Sequence, residues 1–224
     1  MDRVLILDTE TTGLDPAKDH VIEIGVILYS IKHGCSLVSF SSILGADSNP
    51  AEAINHIPAA ALADQENAMD VWGRVEMLAA TADAVLAHNA AFDRDFVTEP
   101  LRQKKWICTK NDVAWPKQTR VGASLVSLVL EHGLGVASAH RALTDCDMIA
   151  RLLTRARELG VDVAEMLRHA MRPKATFMAL VPFDRKEEAK KAGFQWDGEG
   201  RRWLRTMFID DTANLSFQTR QVQA

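Results

Sequence analysis

The sequence predicts an α/β fold in which a mixed β-sheet is flanked by helices. Short apolar runs rich in branched residues, such as residues 3–10 and 20–30, have the length and composition of buried strands. Longer segments with apolar residues at helical spacing, such as residues 144–160, occur between and after such runs. Because strands and helices are interleaved, we expect the helices to pack against a central sheet.

The first three predicted strands are close together along the chain. They span residues 3–10, 20–30 and 35–44, and the short links between them favour an antiparallel meander. An Ala-rich helical region interrupted at Pro58 follows them. We then assign a fourth strand to residues 82–89, helices to residues 90–99, 122–134, 144–160 and 161–171, and an irregular segment to residues 106–122.

A domain boundary is predicted where Pro173 follows the helix of residues 161–171. The first domain then covers residues 1–172. Residues 173–209 form a small β-α-β-β module, with a strand, a helix and a hairpin around two glycines. Residues 210–224 are polar and without periodicity, so we expect them to form a loose tail.

Composition indicates a soluble protein without a zinc site or a disulfide framework. Hydrophobic residues make up 47% and charged residues 25% of the chain, which is enough apolar mass for a core. Only four consecutive apolar residues precede Asp8, too few for a signal peptide or a membrane span. The three cysteines are far apart and form no C-x-x-C pair. We therefore expect a cytoplasmic protein with no membrane partner.

Four acidic residues stand where a metal-dependent enzyme needs carboxylates. Asp8 and Glu10 are two residues apart at the end of a predicted strand, so both side chains leave the same face of the sheet. Their mutual repulsion favours a hard divalent cation between them. Asp93 follows the fourth strand, and Asp145 opens the helix of residues 144–160. Four carboxylates can hold two Mg²⁺ or Mn²⁺ ions about 3.5–4 Å apart, the spacing that clamps the attacking and leaving oxygens in phosphodiester hydrolysis.

A histidine completes this set. His140 lies five residues before Asp145 and just outside its helix. It can take a proton from an attacking water, because histidine ordinarily titrates near neutral pH. Taken singly, these residues have ordinary explanations, such as a solvated acidic pair or a turn residue. Their joint order along the chain favours a two-metal nuclease.

Three other acids close to these positions have simpler interpretations. Asp95 and Asp147 each lie two residues after a proposed ligand, an offset that points elsewhere on a helix. Glu23 lies within the second strand, where a salt bridge is the expected explanation.

Three motifs in this order resemble those of a known family: DTETTG from Asp8, HNAAFD from His88 and HRALTD from His140. Residues 4–159 resemble the DEDDh branch of the DnaQ-like 3′→5′ exonucleases, which includes the proofreading epsilon subunits of bacterial replicases. The H-x₄-D spacing of the third motif is typical of the histidine branch. The resemblance implies a ribonuclease H-like fold, two Mg²⁺ or Mn²⁺ ions and release of mononucleotides from a 3′ end.

The resemblance also implies roles for individual residues. The metal ligands that it implies are Asp8, Glu10, Asp93 and Asp145, with His140 as the general base. The residues that it places against the terminal nucleotide or in its pocket are Thr11, Leu14, Asn89 and Phe92. All five positions of the catalytic signature are present, which argues against an inactive relative.

A net charge of −4 provides no overall attraction for a polyanion, but basic residues are locally concentrated. Residues 102–120 hold six basic residues against one acidic residue. Lys117 and Arg120 in this segment are candidates for contacts with the phosphate backbone. An ordinary solvated loop is the alternative.

The C-terminal module mixes basic and aromatic residues. Arg201 and Arg202 stand between Trp196 and Trp203, a combination that often holds single strands. The alternative is that the tryptophans form the core of a unit with little other apolar mass, and the arginines can contact nucleic acid in either case. Residues 181–203 also resemble a small module found beside nucleic-acid enzymes of plasmids and mobile elements, which supports substrate engagement or partner docking.

The sequence therefore predicts a two-metal-dependent 3′→5′ exonuclease that acts on DNA, on single strands or frayed 3′ ends, and releases nucleoside monophosphates. Two alternatives stay open. One is the same reaction on RNA, because discrimination of the 2′-OH depends on pocket geometry. The other is a non-catalytic replication or repair subunit that binds 3′ ends. A polymerase or another replication or repair protein is the protein partner that such functions suggest.

Overall fold

The computed structural model describes residues 1–63, 68–136 and 140–222. The chain divides into two compact units, Met1–Met171 and Arg172–Ala224. Within the described ranges, no helix is both long and apolar enough to cross a membrane.

The first unit has five strands and seven α-helices among its described residues. The strands are β1 (Arg3–Thr11), β2 (Val21–Ser30), β3 (Cys35–Ile43), β4 (Ala84–Ala87) and β5 (Trp106–Cys108). The helices are α1 (Glu52–Asn55), α2 (Ala68–Ala80), α3 (Ala90–Phe96), α4 (Glu99–Arg102), α5 (Leu125–Glu131), α6 (Ala142–Glu158) and α7 (Val163–Ala170).

The five strands form one mixed sheet in the order β3-β2-β1-β4-β5. β1, β2 and β3 form the predicted antiparallel meander, and β4 and β5 extend the sheet parallel to β1. A mixed sheet flanked by helices confirms the predicted fold class. β5 lies in the segment that was predicted to be irregular, because a strand of three residues is too short for any apolar pattern to reveal it.

β1 is buried on both faces, which explains its continuous apolar run. Val4 and Ile6 belong to the core that α6 and α7 cover, whereas Leu5 and Leu7 belong to the core on the α2 side. Because side chains alternate along a strand, the next residue on the α6 side after Ile6 is Asp8. The apolar run therefore anchors the strand, and its end carries an acid towards α6.

The helix predicted from residue 90 is shorter than expected. α3 ends at Phe96 because the backbone of Val97 is extended, and α4 starts with Pro100 in its first turn. Proline is tolerated in a first turn, where its missing amide would have had no partner. Pro100 thus begins a second helix and does not end the first.

The second unit is an antiparallel sheet with one α-helix among its described residues. Its elements are β6 (Lys174–Ala179), α8 (Lys186–Lys191), β7 (Gln195–Asp197), β8 (Arg202–Phe208) and β9 (Thr219–Val222). The strand order is β7-β8-β6-β9, and the first four elements follow the predicted β-α-β-β order. Phe177, Phe194 and Met207 form the centre of its core.

The prediction of a loose tail from residue 210 was wrong for the described residues. β9 pairs with β6, from Thr219 opposite Ala179 to Val222 opposite Thr176. The ring of Phe217 lies 5.5 Å from that of Phe194 in the core. Polar residues occur on both faces of β9, so no apolar alternation marks this strand in the sequence. Only its backbone pairing with β6 and the packing of Phe217 just before it identify the strand. Residues 223 and 224 lie outside the described part of the chain.

Candidate active site

The first two carboxylates stand at the end of β1, on the side that faces α6. Asp8 and Glu10 follow Val4 and Ile6 in the alternation of the strand, and the register with β2 shifts directly after Glu10. A shift of this kind re-aims the side chains beside it. The predicted placement of both acids on one face of the sheet is therefore present.

α6 approaches the sheet closely because β2 has a glycine at the contact. A Cβ atom at Gly25 would overlap the backbone of Ala142 and Leu143, in the first turn of the helix. The thiol of Cys146 donates to the Gly25 carbonyl oxygen across the same contact, at 3.2 Å. This contact carries Asp145, also in the first turn, against the end of β1.

Three carboxylates converge at this point. Asp8, Glu10 and Asp145 each offer an oxygen, and these atoms all lie within 4.8 Å of one another. Within the described residues, Oδ1 of Asp145 is buried without a hydrogen-bond partner. A hard divalent cation takes such carboxylate oxygens as ligands, so both the donor set and the unpartnered oxygen fit a metal site.

Asp93 is held beside this cluster by hydrogen bonds to β1. It is buried in the first turn of α3, and its Oδ1 accepts hydrogen bonds from the amide and the hydroxyl of Thr9, at 3.0 and 2.9 Å. Its charge is the largest neighbouring contribution that raises the pKa of Asp8. One oxygen of Asp93 is thus fixed by β1, while the whole group acts electrostatically on the cluster.

Burial and repulsion between neighbouring acids raise the pKa values of these four carboxyls. Burial, then Asp93, Asp145 and Glu10, raises the pKa of Asp8 well above its usual value. Burial raises the pKa of Glu10 and of Asp93 to about 7, and that of Asp145 to about 6. Raised pKa values of this kind are typical of functional sites. A bound cation would return all four carboxyls to their ionised form.

His140 lies directly before α6, next to Asp145. Its side chain is exposed, and its backbone is left-handed with φ +61°. The charge of His140 and a hydrogen bond from its backbone both act to lower the pKa of Asp145, against the larger effect of burial. The histidine is therefore close to the cluster and open to solvent.

An ion pair between a buried glutamate and a half-exposed arginine fixes the segment that carries His140. Glu23 on β2 is 2% exposed and accepts from Nε and Nη2 of Arg141 at 3.0 and 2.9 Å, and from the amide of Ala142 at 3.1 Å. The hydroxyl of Ser41 donates to Glu23 at 3.2 Å. The expected salt bridge of Glu23 is confirmed, and its partner Arg141, which the sequence did not single out, links β2 to the third motif.

A second residue that sequence reasoning missed is His88, in the HNAAFD motif. Its Nε2 donates to the Ala123 carbonyl at 3.1 Å, and its Nδ1 lies 3.1 Å from the hydroxyl oxygen of Thr109. Burial lowers the pKa of His88 to about 4, so the ring is neutral at physiological pH. His88 thus ties the ends of β4 and β5 to the loop before α5.

The residues implied to contact the terminal nucleotide occupy different surroundings. Thr11 is buried, and its hydroxyl donates to the Gly13 carbonyl at 2.6 Å, whereas Leu14 is 83% exposed at the tip of the same loop. Asn89 is exposed with a left-handed backbone, and the ring of Phe92 packs at 4.9 Å on that of its neighbour on α3. Leu14 and Asn89 are therefore accessible to a ligand, while Thr11 shapes the loop.

The basic segment before α5 is partly structural. The guanidinium of Arg102 donates to the carbonyl oxygens of Arg94, Asp95 and Val97, so it staples α3 to α4. Lys117 and Arg120 are exposed in the loop that follows β5. These two remain candidates for phosphate contacts.

Comparison with known proteins places the first unit in a family. A family model described as exonuclease matches residues 5–153, and a model described only as a domain of unknown function matches residues 175–222. The chain is 29% identical to the DNA polymerase III subunit epsilon of Treponema pallidum over 163 residues, 66% of this chain and 73% of that one. It is 26% identical to ribonuclease T of a Shewanella strain over 190 residues, 70% of this chain and 83% of that one. A match at 28% identity to a PolC-type DNA polymerase III of Thermotoga maritima covers only 14% of that protein.

Solved structures agree with the fold. Exonuclease X, in complex with 5′-overhanging duplex DNA, is 29% identical with a TM-score of 0.58, over 75% of this chain and 99% of that one. The nuclease domain of a DEDDh family member bound to rAMP superimposes with a TM-score of 0.60 at 18% identity, over 72% of this chain and 94% of that one. The exonuclease match covers more than half of the chain and contains all five acidic and histidine positions. The chain therefore belongs to the DnaQ-like 3′→5′ exonucleases, and its first unit is an exonuclease domain.

Proposed function

We propose that this exonuclease removes nucleotides from the 3′ ends of DNA, on single strands or frayed ends, with two Mg²⁺ ions, for which Mn²⁺ can substitute. The observation that carries this proposal is the convergence of oxygens from Asp8, Glu10 and Asp145 within 4.8 Å. Within the described residues, Oδ1 of Asp145 is also buried without a hydrogen-bond partner. Such a set of carboxylate oxygens attracts hard divalent cations.

The carboxylates would hold the metal, and other groups would act on the substrate. The proposed ligands are Asp8, Glu10, Asp93 and Asp145. When bound, the ions would supply charge stabilisation for the phosphodiester and activate the attacking water. His140, exposed beside Asp145, accepts the proton of that water, and the pair of Glu23 with Arg141 holds the histidine in place.

Further residues would contact the nucleic-acid strand, some at its terminal nucleotide and others along its backbone. The residues proposed to contact the terminal nucleotide are Thr11, Leu14, Asn89 and Phe92. The residues proposed to contact the backbone further along are Lys117 and Arg120 in the first unit and Arg201 and Arg202 in the second. In this proposal residues 1–172 are catalytic, and residues from 173 onwards engage the substrate or a partner.

DNA is favoured as the substrate because exonuclease X, 29% identical over almost its whole length, was solved with DNA. The similarity to ribonuclease T supports an exoribonuclease as the second candidate. A polymerase is the proposed protein partner, from the similarity to an epsilon subunit. Three separate free cysteines fit a reducing compartment, so we propose a cytoplasmic location.

The direct test is a labelled-strand assay. Purified protein is incubated with a 5′-labelled single-stranded DNA and its RNA twin, in Mg²⁺ or in EDTA. We expect a ladder that shortens from the 3′ end, only with Mg²⁺, and faster on DNA. Asp145→Ala should abolish it, whereas Asp147→Ala, an exposed acid two residues along the same helix, should not.

Each outcome of this assay has one meaning. Faster loss of the RNA twin would transfer the proposal to RNA. Intact strands in every lane would contradict the catalytic assignment and favour a subunit that only binds 3′ ends. Full activity of Asp145→Ala would contradict the proposed role of the carboxylate cluster.

A further inference from the structure

The second unit carries the charge that the first unit lacks. Residues 172–224 hold 10 Lys and Arg against 7 Asp and Glu, a net charge of +3, whereas residues 1–171 hold 16 against 23, a net charge of −7. Attraction for a polyanion at long range depends on such basic surfaces. The small unit is therefore the electrostatically favourable part of the chain for nucleic acid.

Trp196 presents a supported aromatic ring at the surface of this unit. It is 51% exposed, while Trp203, directly opposite on β8, packs against the core around Phe177, Phe194 and Met207. The two ring centroids are 5.4 Å apart, with an angle of 59° between the planes. The inner tryptophan thus fixes the outer one, and the outer ring can accept a further ring.

Basic residues lie on both sides of this aromatic pair along the chain. Arg201 lies in the turn between β7 and β8, and Lys191 ends α8; in the described parts of the chain neither forms a salt bridge. Arg205 lies two residues after Trp203 on the same face of β8, and its Nη1 donates to the Ala192 carbonyl at 2.5 Å. Residues 191–205 hold four basic side chains against two acidic ones, Asp197 and Glu199, so the segment that carries the ring has a net charge of +2, with Arg201 and Lys191 available to a ligand.

A second exposed ring in the same unit lacks this setting. Phe183 is 80% exposed, with the Lys186 ammonium 4.3 Å from its centroid. Residues 183–188 carry three acidic side chains against two basic ones. Phe183 is thus a natural control for an exposed aromatic side chain without net positive charge around it.

We propose that Trp196 is a stacking platform for single-stranded nucleic acid, whose phosphates are held by Arg201 and Lys191. The inference rests on the proposed function only for the class of ligand. Every base has a flat face, so such stacking binds strands irrespective of their sequence. Phosphate contacts then position the strand without reading it. The expected effect of this site is on affinity for the strand, not on the cleavage step.

The test is binding of a 5′-fluorescein-labelled oligo(dT) of about 20 nucleotides, longer than a typical single-strand site, to the full-length protein in EDTA. EDTA prevents cleavage. It also leaves the acidic site of the first unit without a cation, so that this site repels phosphate. Trp196→Leu keeps an apolar cover over Trp203 but removes the ring, and we expect a loss of affinity of about 5- to 100-fold. Trp196→Phe should bind within about threefold of the wild type, and Phe183→Leu should bind like the wild type.

Salt separates stacking from charge. Trp196→Leu should leave the slope of log affinity against log salt unchanged, because counterion release depends on phosphate contacts alone. Arg201→Gln should make that slope shallower by about 1. A slope that changes with Trp196→Leu and not with Arg201→Gln would overturn the assignment of roles.

Other outcomes also decide the inference. Wild-type affinity of Trp196→Leu overturns it, as does an equal loss in Phe183→Leu, which would indicate a general effect of apolar surface. If Trp196→Leu melts early, tryptophan fluorescence decides: oligo(dT) should quench the wild type and quench Trp196→Phe much less, and equal quenching overturns the inference. Binding through Trp196 by a protein that shortens no strand in Mg²⁺ would sink the proposed function alone, and shortening with unchanged binding by Trp196→Leu would sink the inference alone.

Discussion

The two units hold their charges in opposite ways. In the first, burial and then the charges of Asp93 and Asp145 raise the pKa of Asp8. In the second, charges such as those of Lys190 and Glu187 form exposed pairs along a helix. Buried like charges cost free energy that only a proton or a cation relieves, whereas exposed pairs contribute little and are screened by salt. The carboxylates of the first unit are therefore stabilised by a bound cation. The exposed pairs of the second unit leave basic groups that can bind a phosphate at a small cost in free energy.

This contrast predicts how the two units respond to substitution. In the first unit each group has one position and fixed partners, so single changes should have large effects on the rate. In the second unit the contacts are exposed and shared, so changes should be smaller and should affect affinity. A small effect of a single change in the first unit, or a large effect on the rate in the second, would contradict this difference between the units.

After the carboxylates, the largest effect is expected at His140. Removal of a general base costs about 10²–10⁴-fold in kcat, so we expect that loss for His140→Ala with DNA and Mg²⁺. His140 has a left-handed backbone with φ +61°, which asparagine tolerates better than alanine. His140→Asn therefore separates loss of the base from backbone strain, and both variants should change the dependence of kcat on pH.

The matched control comes from the second unit. Reversal of charge at Arg201 and Arg202 together should raise KM for long strands by about tenfold, through lost phosphate contacts, and leave kcat unchanged. Dinucleotide substrates should not be affected. A pH profile of kcat unchanged by the His140 substitutions, or equal effects of the arginine changes on long strands and dinucleotides, would contradict the division of roles.

The next effect in size is expected at Glu23. Its carboxylate binds both Arg141 and the amide of Ala142 with little exposure to water, so Glu23→Gln weakens charge-assisted hydrogen bonds that hold the third motif. Partners behind a metal site typically contribute 10–100-fold, and we expect Glu23→Gln to lower kcat by about that factor. The Mg²⁺ concentration for half-maximal activity should rise as well, because Asp145 lies in the first turn of the helix that this pair positions.

Two further variants show whether Glu23 positions the site or only stabilises the fold. Arg141→Lys keeps the charge but not the two-point contact, so its loss of activity should be intermediate. Ser41→Ala removes one hydrogen bond from an uncharged donor to Glu23, at 3.2 Å, and should change the rate by no more than about twofold. If the Mg²⁺ requirement of Glu23→Gln equals that of the wild type while its melting temperature falls, the pair serves stability alone.

The chemistry of the first unit could be predicted because local geometry constrains it. Two acids at an offset of two on a strand must share a face, and Asp8 and Glu10 do so. An acid in the first turn of a helix must stand near whatever that end of the helix meets, and Asp145 meets β1. Periodicity also identified the three antiparallel strands, since each is long enough to display it.

What the sequence could not supply depends on contacts between distant residues. Glu23 and Arg141 are 118 positions apart, and no local pattern pairs them. The sequence does not indicate that α6 occupies the space where a Cβ atom of residue 25 would lie. That requirement for glycine arises only from the packing of the helix on the sheet. β9 shows no apolar alternation, and its existence follows from an open edge of β6 that it completes.

The smallest effect expected is on stability, and it concerns the same buried charges. The pKa values of Glu10 and Asp93 are about 7, and that of Asp145 is about 6, in the folded protein, against about 4 for free carboxyls. Between these values the folded state binds more protons than the unfolded state, so this cluster makes the metal-free protein less stable as pH rises from about 4 to about 7.

Asp145→Asn removes one of these charges, and its melting temperature relative to the wild type should therefore depend on pH and metal. In EDTA at about pH 8 the variant should melt higher, by about 2–4 °C for each kcal/mol of repulsion relieved. At about pH 4–5 the two proteins should melt together, because the wild-type carboxyl is then protonated. Saturating Mg²⁺ at about pH 8 should reverse the order, since the wild type binds the cation more tightly than the variant and only the folded state has the site. Asp147→Asn, an exposed acid two positions along α6, should show none of this dependence. A wild type that melts above Asp145→Asn in EDTA at about pH 8 would mean that the carboxylates do not repel one another as their burial implies, and that the contrast between the two units is weaker than the geometry indicates.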